Sequence, residues 1–455
     1  MNENKPVDNQ YIRMTQTPIH KLIITLSIPT VLSMLVTTIY NLVDTAFVGT
    51  LGTSASGAVG VVFGFMSILQ AFGFMFGQGS GSMLSRRLGS RDNQTASIIA
   101  STGFFASFAS GLVIAILGFI FEEPLIRMLG STETIAPYAR DYLNTIMFVA
   151  PFCSASFTLN NMLRYEGKAN LGMIGLLTGG ILNIGGDALF IFGMDMGIAG
   201  AGLSTAISQV ISFTILLYMF VTGRTQTKLK FSNITVRDRT LIDIIETGFP
   251  SLLRQGLGSL TTIVVNFKAA EFAGDAGVSA MTIVTRLSFF LFAIALGIGQ
   301  GFQPVCAWSY GAGKFRRLRD AYRYTIILSE IVLAVLTVFA MIFSNDLIRL
   351  FRDDPAVIAV GTRALRLQCV AQLFMPIATV TEMLMQSSGK KIPATVLSSL
   401  RGGVLLIPLL LILPELRGIA GVQEAQPLSF ILSVIPAVLM ARWFFAITPG
   451  EDSSD

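Results

Sequence analysis

Histidine is nearly missing from this chain: 455 residues carry one, His20. That excludes a histidine-based proton relay, and His20 falls where the first apolar run begins, as an interfacial side chain. Cysteine is also scarce. Cys153, Cys306 and Cys369 all lie inside apolar runs, where a thiol is a small filler, so neither a disulfide nor a cysteine metal site is expected. Charged residues make up 13% against 52% hydrophobic, with a mean hydropathy of +0.67, and no soluble globular class has that balance. Nucleotide-binding motifs are missing. Gly77-Gln78-Gly79-Ser80-Gly81-Ser82 has no strand before it and no Gly-Lys-Ser after it, so it is not a phosphate loop and ATP is not the expected driver. A cleavable signal peptide is not expected either, because residues 1–20 are polar and no small-residue cleavage site follows the first run. An intramembrane enzyme lacks a nucleophile–base set.

What remains is membrane. Runs long enough to cross a roughly 30 Å hydrocarbon core number twelve, near 22–48, 56–85, 96–121, 138–163, 171–193, 198–221, 242–272, 276–308, 321–343, 358–386, 393–413 and 418–447. Basic residues divide by side. Arg86, Arg87, Arg91, Arg164, Lys168, Arg224, Lys228, Lys230, Arg237, Arg239, Lys314, Arg316, Arg317, Arg319, Arg323, Lys390 and Lys391 fall in one set of loops. Arg127, Arg140, Arg349, Arg352, Arg363 and Arg417 fall in the other. The positive-inside rule puts the first set and both termini in the cytosol, and twelve spans agree. The expectation is a multi-pass protein of the cell inner (plasma) membrane. The net charge of +5 belongs to these loops and is no nucleic-acid signal.

The two halves match at a shift of about 222 residues. Gln78-Gly79 reappears as Gln300-Gly301, Gly89 as Gly311, Leu125-Ile126-Arg127 as Leu347-Ile348-Arg349, and Gly167-Lys168 as Gly389-Lys390. Pro29 matches Pro250 one residue out of register. An even shift of six spans preserves orientation, so the fold class is an all-α polytopic membrane protein of twelve transmembrane helices in two pseudo-symmetric six-helix lobes. The repeats are parallel about an axis along the membrane normal, an arrangement that gives alternating access by rocking. The N-lobe is placed at 1–221, a basic cytoplasmic linker at 222–241, and the C-lobe at 242–455.

Carboxylates within a bilayer are rare and mark ion or proton paths. Asp44 lies in the outer third of span 1. Asp187 lies about 9 Å from the outer end of span 5 and Thr205 about 10 Å down span 6, at 1.5 Å per residue. Asn183 sits one turn from Asp187 on the same face. Four oxygen-bearing side chains thus converge at similar depth, a hard-ligand set for Na⁺, or a carboxylate pair that shares a proton. Inter-helix hydrogen bonding is the bland alternative. The second half has Asn266 where the shift places Asp44. It holds Arg254, Lys268, Glu271, Arg286, Glu330, Arg366, Glu382 and Arg401 in or near spans. Arg254 and Glu382 are the deepest, either as structural ion pairs or, with Gln78, as walls of a substrate cavity. Pro29 removes a backbone hydrogen bond in mid-span and permits a kink or hinge. Abundant Phe (34) and Met (19) suit adaptable contacts with varied apolar cargo.

Several of these residues together carry a family resemblance. They are Ile28-Pro29-Thr30 and Tyr40-Asn41-Leu42-Val43-Asp44-Thr45-Ala46-Phe47-Val48-Gly49 in span 1, Arg164-Tyr165-Glu166-Gly167-Lys168 after span 4, and Asn183 with Asp187 in span 5. With the repeat, the chain resembles the multidrug and toxic compound extrusion (MATE) transporters over nearly its whole length. The resemblance implies efflux of small organic, mostly cationic compounds in exchange for Na⁺ or H⁺, by a monomer in contact with membrane lipid and without cofactor or enzymatic activity. It implies cation or proton coupling at Asp44, Asn183, Asp187 and Thr205, with Tyr142 and Asn160 as further members of the network. Part of the family carries an acid eight positions after the span-7 proline. Gly258 stands there in this chain, which points to the bacterial and archaeal branch that couples through the N-lobe. A flippase for lipid-linked sugars, which shares the two-lobe build, is the competing function.

Overall fold

Apolar runs of this length satisfy their backbone in lipid by turning helical. The computed structural model describes residues 5–235, 238–450 and 452, and no strand occurs among them. Arg237 of the expected linker lies outside the described residues. Helices α1 (Lys5–Gln16), α2 (Ile19–Gly49), α3 (Thr53–Gly89) and α4 (Asn93–Ile120) are followed by a short α5 (Glu122–Met128). Then come α6 (Ala136–Tyr165), α7 (Ala169–Asp187) and α8 (Gly197–Val221). The second half comprises α9 (Thr240–Gly311), α10 (Phe315–Ile342), a short α11 (Ser344–Phe351), α12 (Pro355–Gln372), α13 (Met375–Ser387), α14 (Lys391–Ser399), α15 (Leu406–Arg417) and α16 (Ile419–Ile447). Two π turns interrupt the regular winding, Ala188–Gly193 after α7 and Leu400–Val404 between α14 and α15.

Among the described residues ten stretches are long and apolar enough to span, with each π turn included in its stretch, and α12 with α13 adds one bent by 47°. The bend precedes Pro376, which sits at the start of α13 and has no N–H to continue the ladder. At 72 residues α9 is too long for one crossing and breaks at Gly274, φ 56°, a left-handed conformation that glycine adopts without a Cβ penalty. Counted as two, it brings the total to twelve, and its break falls in the expected gap between 272 and 276. Within the polar stretch that precedes span 1, Lys5–Gln16 form α1.

The repeat is visible in the details. α5 starts at Glu122 and α11 at Ser344, 222 residues later, and Ile126 and Ile348 are both fully buried. The two π turns fall in corresponding spans, the fifth of each half. On α10, Ile327, Ile331, Val335 and Val338 recur along one face and are each more than half exposed, a stripe that suits lipid.

The chain packs as two compact units. One holds the described residues up to Arg13 with Leu32–Leu252; the other holds Met14–Val31 with the residues from Leu253 onward. The boundaries therefore fall inside α1, after Arg13, and inside α2 and α9, just after Pro29 and Pro250, and not in the 222–241 linker. The described residues of that linker belong to the first unit. Lys228 N and Lys230 N donate to Ser97 Oγ (3.2 Å) and Ser101 Oγ (3.1 Å) on α4. Glu166, at the C-terminal end of α6, accepts from Gln226 N (2.8 Å), Thr227 N (3.0 Å) and the Thr227 hydroxyl. Burial nevertheless holds the Glu166 carboxyl above the usual carboxylate range, with Lys168 and these donors pulling against it. Within the same unit α9 presses onto α3. A Cβ on Gly248 would lie 1.8 Å from the Met75 carbonyl oxygen, so only glycine fits there.

Candidate functional site

Four spans of the first unit bring the polar cluster together: Asp44 from α2, Tyr142 from the first turns of α6, Asn183 and Asp187 from α7, and Ser204 with Thr205 from α8. All six are buried, Asp187 completely. Close approach of α7 and α8 depends on size. A Cβ on Gly186 would lie 2.5 Å from the Ser204 hydroxyl, so any larger residue there would push the helices apart. Asp187 is the last α-helical residue before the π turn at Ala188–Gly193, and π turns frequently sit at functional positions.

The donors in the cluster are few and already engaged. Tyr142 Oη lies 3.3 Å from Asp44 Oδ2 and 3.1 Å from Thr205 Oγ1. Asn183 Nδ2 donates to Thr205 Oγ1 at 3.1 Å and reaches Ser204 Oγ at 3.5 Å. The Ser204 hydroxyl donates to the Asn183 carbonyl at 2.9 Å. Asp44 and Asp187 are near enough to act on one another electrostatically. Among the described residues no hydrogen-bond partner reaches Asp44 Oδ1, Asn183 Oδ1, or either Asp187 carboxylate oxygen. Two ionised carboxylates offer acceptors only, and an unsatisfied buried acceptor is costly. Such an arrangement can accommodate a positive charge, a proton or a small hard cation. No group of three or more His, Cys, Asp or Glu side chains placed to hold a metal ion occurs among the described residues. A cation here would therefore rest on two carboxylates together with the neutral oxygens of Asn183, Thr205 and Tyr142.

The remaining sequence-selected residues lie elsewhere. Asn160 is on α6, eighteen residues past Tyr142 and so about 27 Å further along the axis. Its amide nitrogen packs 2.8 Å from where a Gly172 Cβ would stand on α7. It is not part of the cluster. Pro29 lies inside α2, fifteen residues before Asp44 and about 22 Å from it along the helix. Gln78 Oε1 accepts from Ser251 Oγ at 2.8 Å, an α3–α9 contact within the first unit. In the second unit Arg254 Nη1 meets Glu382 Oε1 at 2.6 Å. Lys268 Nζ lies 2.8 Å from both Glu271 and Glu415, and Arg366 Nε donates to Ser344 Oγ at 2.8 Å. Most of the second-half charges are thus paired within their own unit. Sequence reasoning missed Ser204, whose only signal is its place beside Thr205.

Comparison with known proteins fits this geometry. The MatE family model matches residues 29–189 and 250–412, so its two copies begin at Pro29 and Pro250. The multidrug export protein MepA of Staphylococcus saprophyticus is 26% identical over 434 residues, covering 95% of this chain and 96% of the relative. MepA of Staphylococcus haemolyticus is 27% identical, covering 91% of each. Among solved structures, a MATE protein in complex with MaL6 superposes with a TM-score of 0.90 at 26% identity, covering 96% of this chain and 98% of that one. An outward-facing multidrug resistance transporter gives the same values.

Proposed function

The chain belongs to the MatE family, and from that premise we propose that it is a secondary active exporter of small organic cations, driven by inward Na⁺ or H⁺ bound between Asp44 and Asp187. The observation that carries the reading is the set of four buried oxygens without a donor, two of them on Asp187. A proton or Na⁺ arriving from outside supplies the missing positive charge. Its binding and the binding of cationic cargo then oppose one another, and that reciprocal coupling is the exchange. Asp44 and Pro29 share α2, so a change of charge at the cluster acts on the same helix that the proline leaves free to bend.

The multidrug export named for the MepA relatives supports varied organic cargo. The Lys/Arg asymmetry of the loops supports a plasma-membrane protein with both termini in the cytosol. We take the working form to be a monomer. A flippase for pyrophosphate-linked sugars would need several unpaired cations on its path, whereas the buried cluster resolved in the first unit is anionic. The deciding experiment uses the full chain in proteoliposomes loaded with ethidium, with the Na⁺ and proton gradients imposed separately. Efflux should follow one gradient and ignore the other. Efflux that follows neither ends this reading.

A further inference from the structure

In the second unit the short helix α11 and the first turns of α12 frame a groove of about 430 Å³, within the size range of small-ligand sites. Its polar lining is Asn345 from α11 with Thr362, Arg363 and Arg366 from α12, and Ile358 and Leu367 supply the apolar part. Ile358, Thr362 and Arg366 recur every four residues, and Arg363 stands three before Arg366, so helix spacing brings them to one face. The lining carries two positive charges and no carboxylate.

The acids nearby do not correct this. Arg363 Nη2 meets Glu424 Oε1 at 3.1 Å, but the other oxygen of Glu424 is held by Arg417 Nη1 at 2.5 Å. Asp353 pairs with Arg349 at 3.1 Å, and Asp354 caps the start of α12 by accepting from Ala356 N at 2.9 Å. Asp346 on α11 is exposed and does not line the groove. Arg366 donates through Nε to the Ser344 hydroxyl at 2.8 Å and has no ion-pair partner among the described residues. The matching short helix α5 differs: Glu122 and Glu123 hold Arg140, and Glu123 also holds Arg127.

The setting is a lipid boundary. The exposed stripe of α10 runs on to Ile342, three residues before Asn345, and Phe343, Leu350 and Phe351 are exposed as well, Leu350 by 80%. Exposed apolar side chains beside arginines at the end of a span mark the level where acyl chains meet headgroups. A guanidinium fork matches phosphate oxygens in two parallel hydrogen bonds. We propose that Arg366, with Arg363, holds the phosphate of an anionic phospholipid whose chains lie along the exposed apolar surface of α10 and α11. On the orientation proposed above this end faces outward, but the contact depends neither on that nor on what is exported.

The test is lipid binding by native mass spectrometry of the full chain, delipidated in detergent. Phosphatidylglycerol should bind with saturation, and a diacylglycerol with the same chains should not. Arg366→Gln should weaken phosphatidylglycerol about tenfold, the loss of one charge-assisted hydrogen bond, with the melting temperature unchanged. Arg349→Gln, on α11 but outside the groove, should not weaken it. Glu424→Gln removes the carboxylate that competes for Arg363 and should tighten binding, whereas Asp353→Asn removes one outside the groove and should not. That second pair decides the matter if Arg366→Gln fails to fold. Equal binding of the diacylglycerol overturns the proposal. So does an equal effect of the two arginine variants, or of the two acid variants, the sign of diffuse charge alone. Displacement of the lipid by free glycerophosphoglycerol at equal concentration also overturns it, because the chains would then contribute nothing.

Discussion

Asp187→Asn is the sharpest test of the cation cluster, because the substitution keeps shape and removes one of two charges. At about 4 Å and an effective dielectric near 20, one carboxylate contributes about 4 kcal/mol to a bound monovalent cation. That is roughly a thousandfold in affinity. Asn183→Ala removes only a neutral oxygen, about 1 kcal/mol or roughly fivefold. The two variants should therefore separate by about two orders of magnitude in the ion concentration needed for half-maximal ethidium efflux. A tenfold ion gradient supplies about 1.4 kcal/mol and 100 mV about 2.3 kcal/mol per net charge moved. One-for-one exchange with a monovalent cation is electroneutral and sustains only about a tenfold ethidium gradient, and that gradient should collapse in Asp187→Asn. The assay is proteoliposome efflux against a titrated ion gradient, with melting temperature as the folding control. If Asp187→Asn shifts the half-maximal ion concentration no more than Asn183→Ala does, charge is not what holds the ion and the argument fails.

Tyr142→Phe removes the hydroxyl that joins Asp44 to Thr205 and should weaken ion dependence about fivefold, for about 1 kcal/mol, with the fold intact by melting temperature. Asn160→Ala, about 27 Å from the cluster along α6, should leave the half-maximal ion concentration unchanged in the same assay. Gly248→Ala would drive a methyl into the Met75 carbonyl, and overpacking of this kind costs about 1–3 kcal/mol or more; the check is loss of the monodisperse peak in size-exclusion chromatography. The fold raises the Glu166 carboxyl above its unfolded range, so its contribution is present at acid pH and is lost as pH rises through the raised value. Limited proteolysis of the 222–235 stretch should therefore quicken as pH climbs above the ordinary carboxylate range, and Glu166→Gln should flatten that dependence.

The parts legible in the sequence were those where one residue conflicts with its surroundings. Asp44 and Asp187 stand out because ionisable groups in apolar runs are costly. The gap between 272 and 276 is visible because the pattern pauses, and the fold breaks there at Gly274. Tyr142 and Thr205 gave a weaker signal, since a hydroxyl on a membrane helix is as often inter-helix glue; only packing of α6 on α8 showed that they share a hydrogen bond. Asn160 was drawn in by resemblance, although helix rise alone places it far from Tyr142. The π turns left no trace, because the residues in Ala188–Gly193 and Leu400–Val404 are ordinary helix formers and glycines whose winding is decided by their neighbours. The unit boundaries were hidden for a related reason. A helix that continues through Pro29 or Pro250 keeps its apolar pattern while changing the partners it packs on.

That last feature bears on how the protein is made. Residues 14–31 leave the ribosome more than 220 residues ahead of the rest of the unit they join, which begins at Leu253. The first unit, for its part, has to wait for 240–252 before its packing is finished, although those residues follow the linker. Neither unit is a segment that can fold as it emerges. The early turns of α2 must remain in the bilayer for most of translation without their eventual neighbours, while the linker can already pack on α4 and Glu166 before α9 arrives.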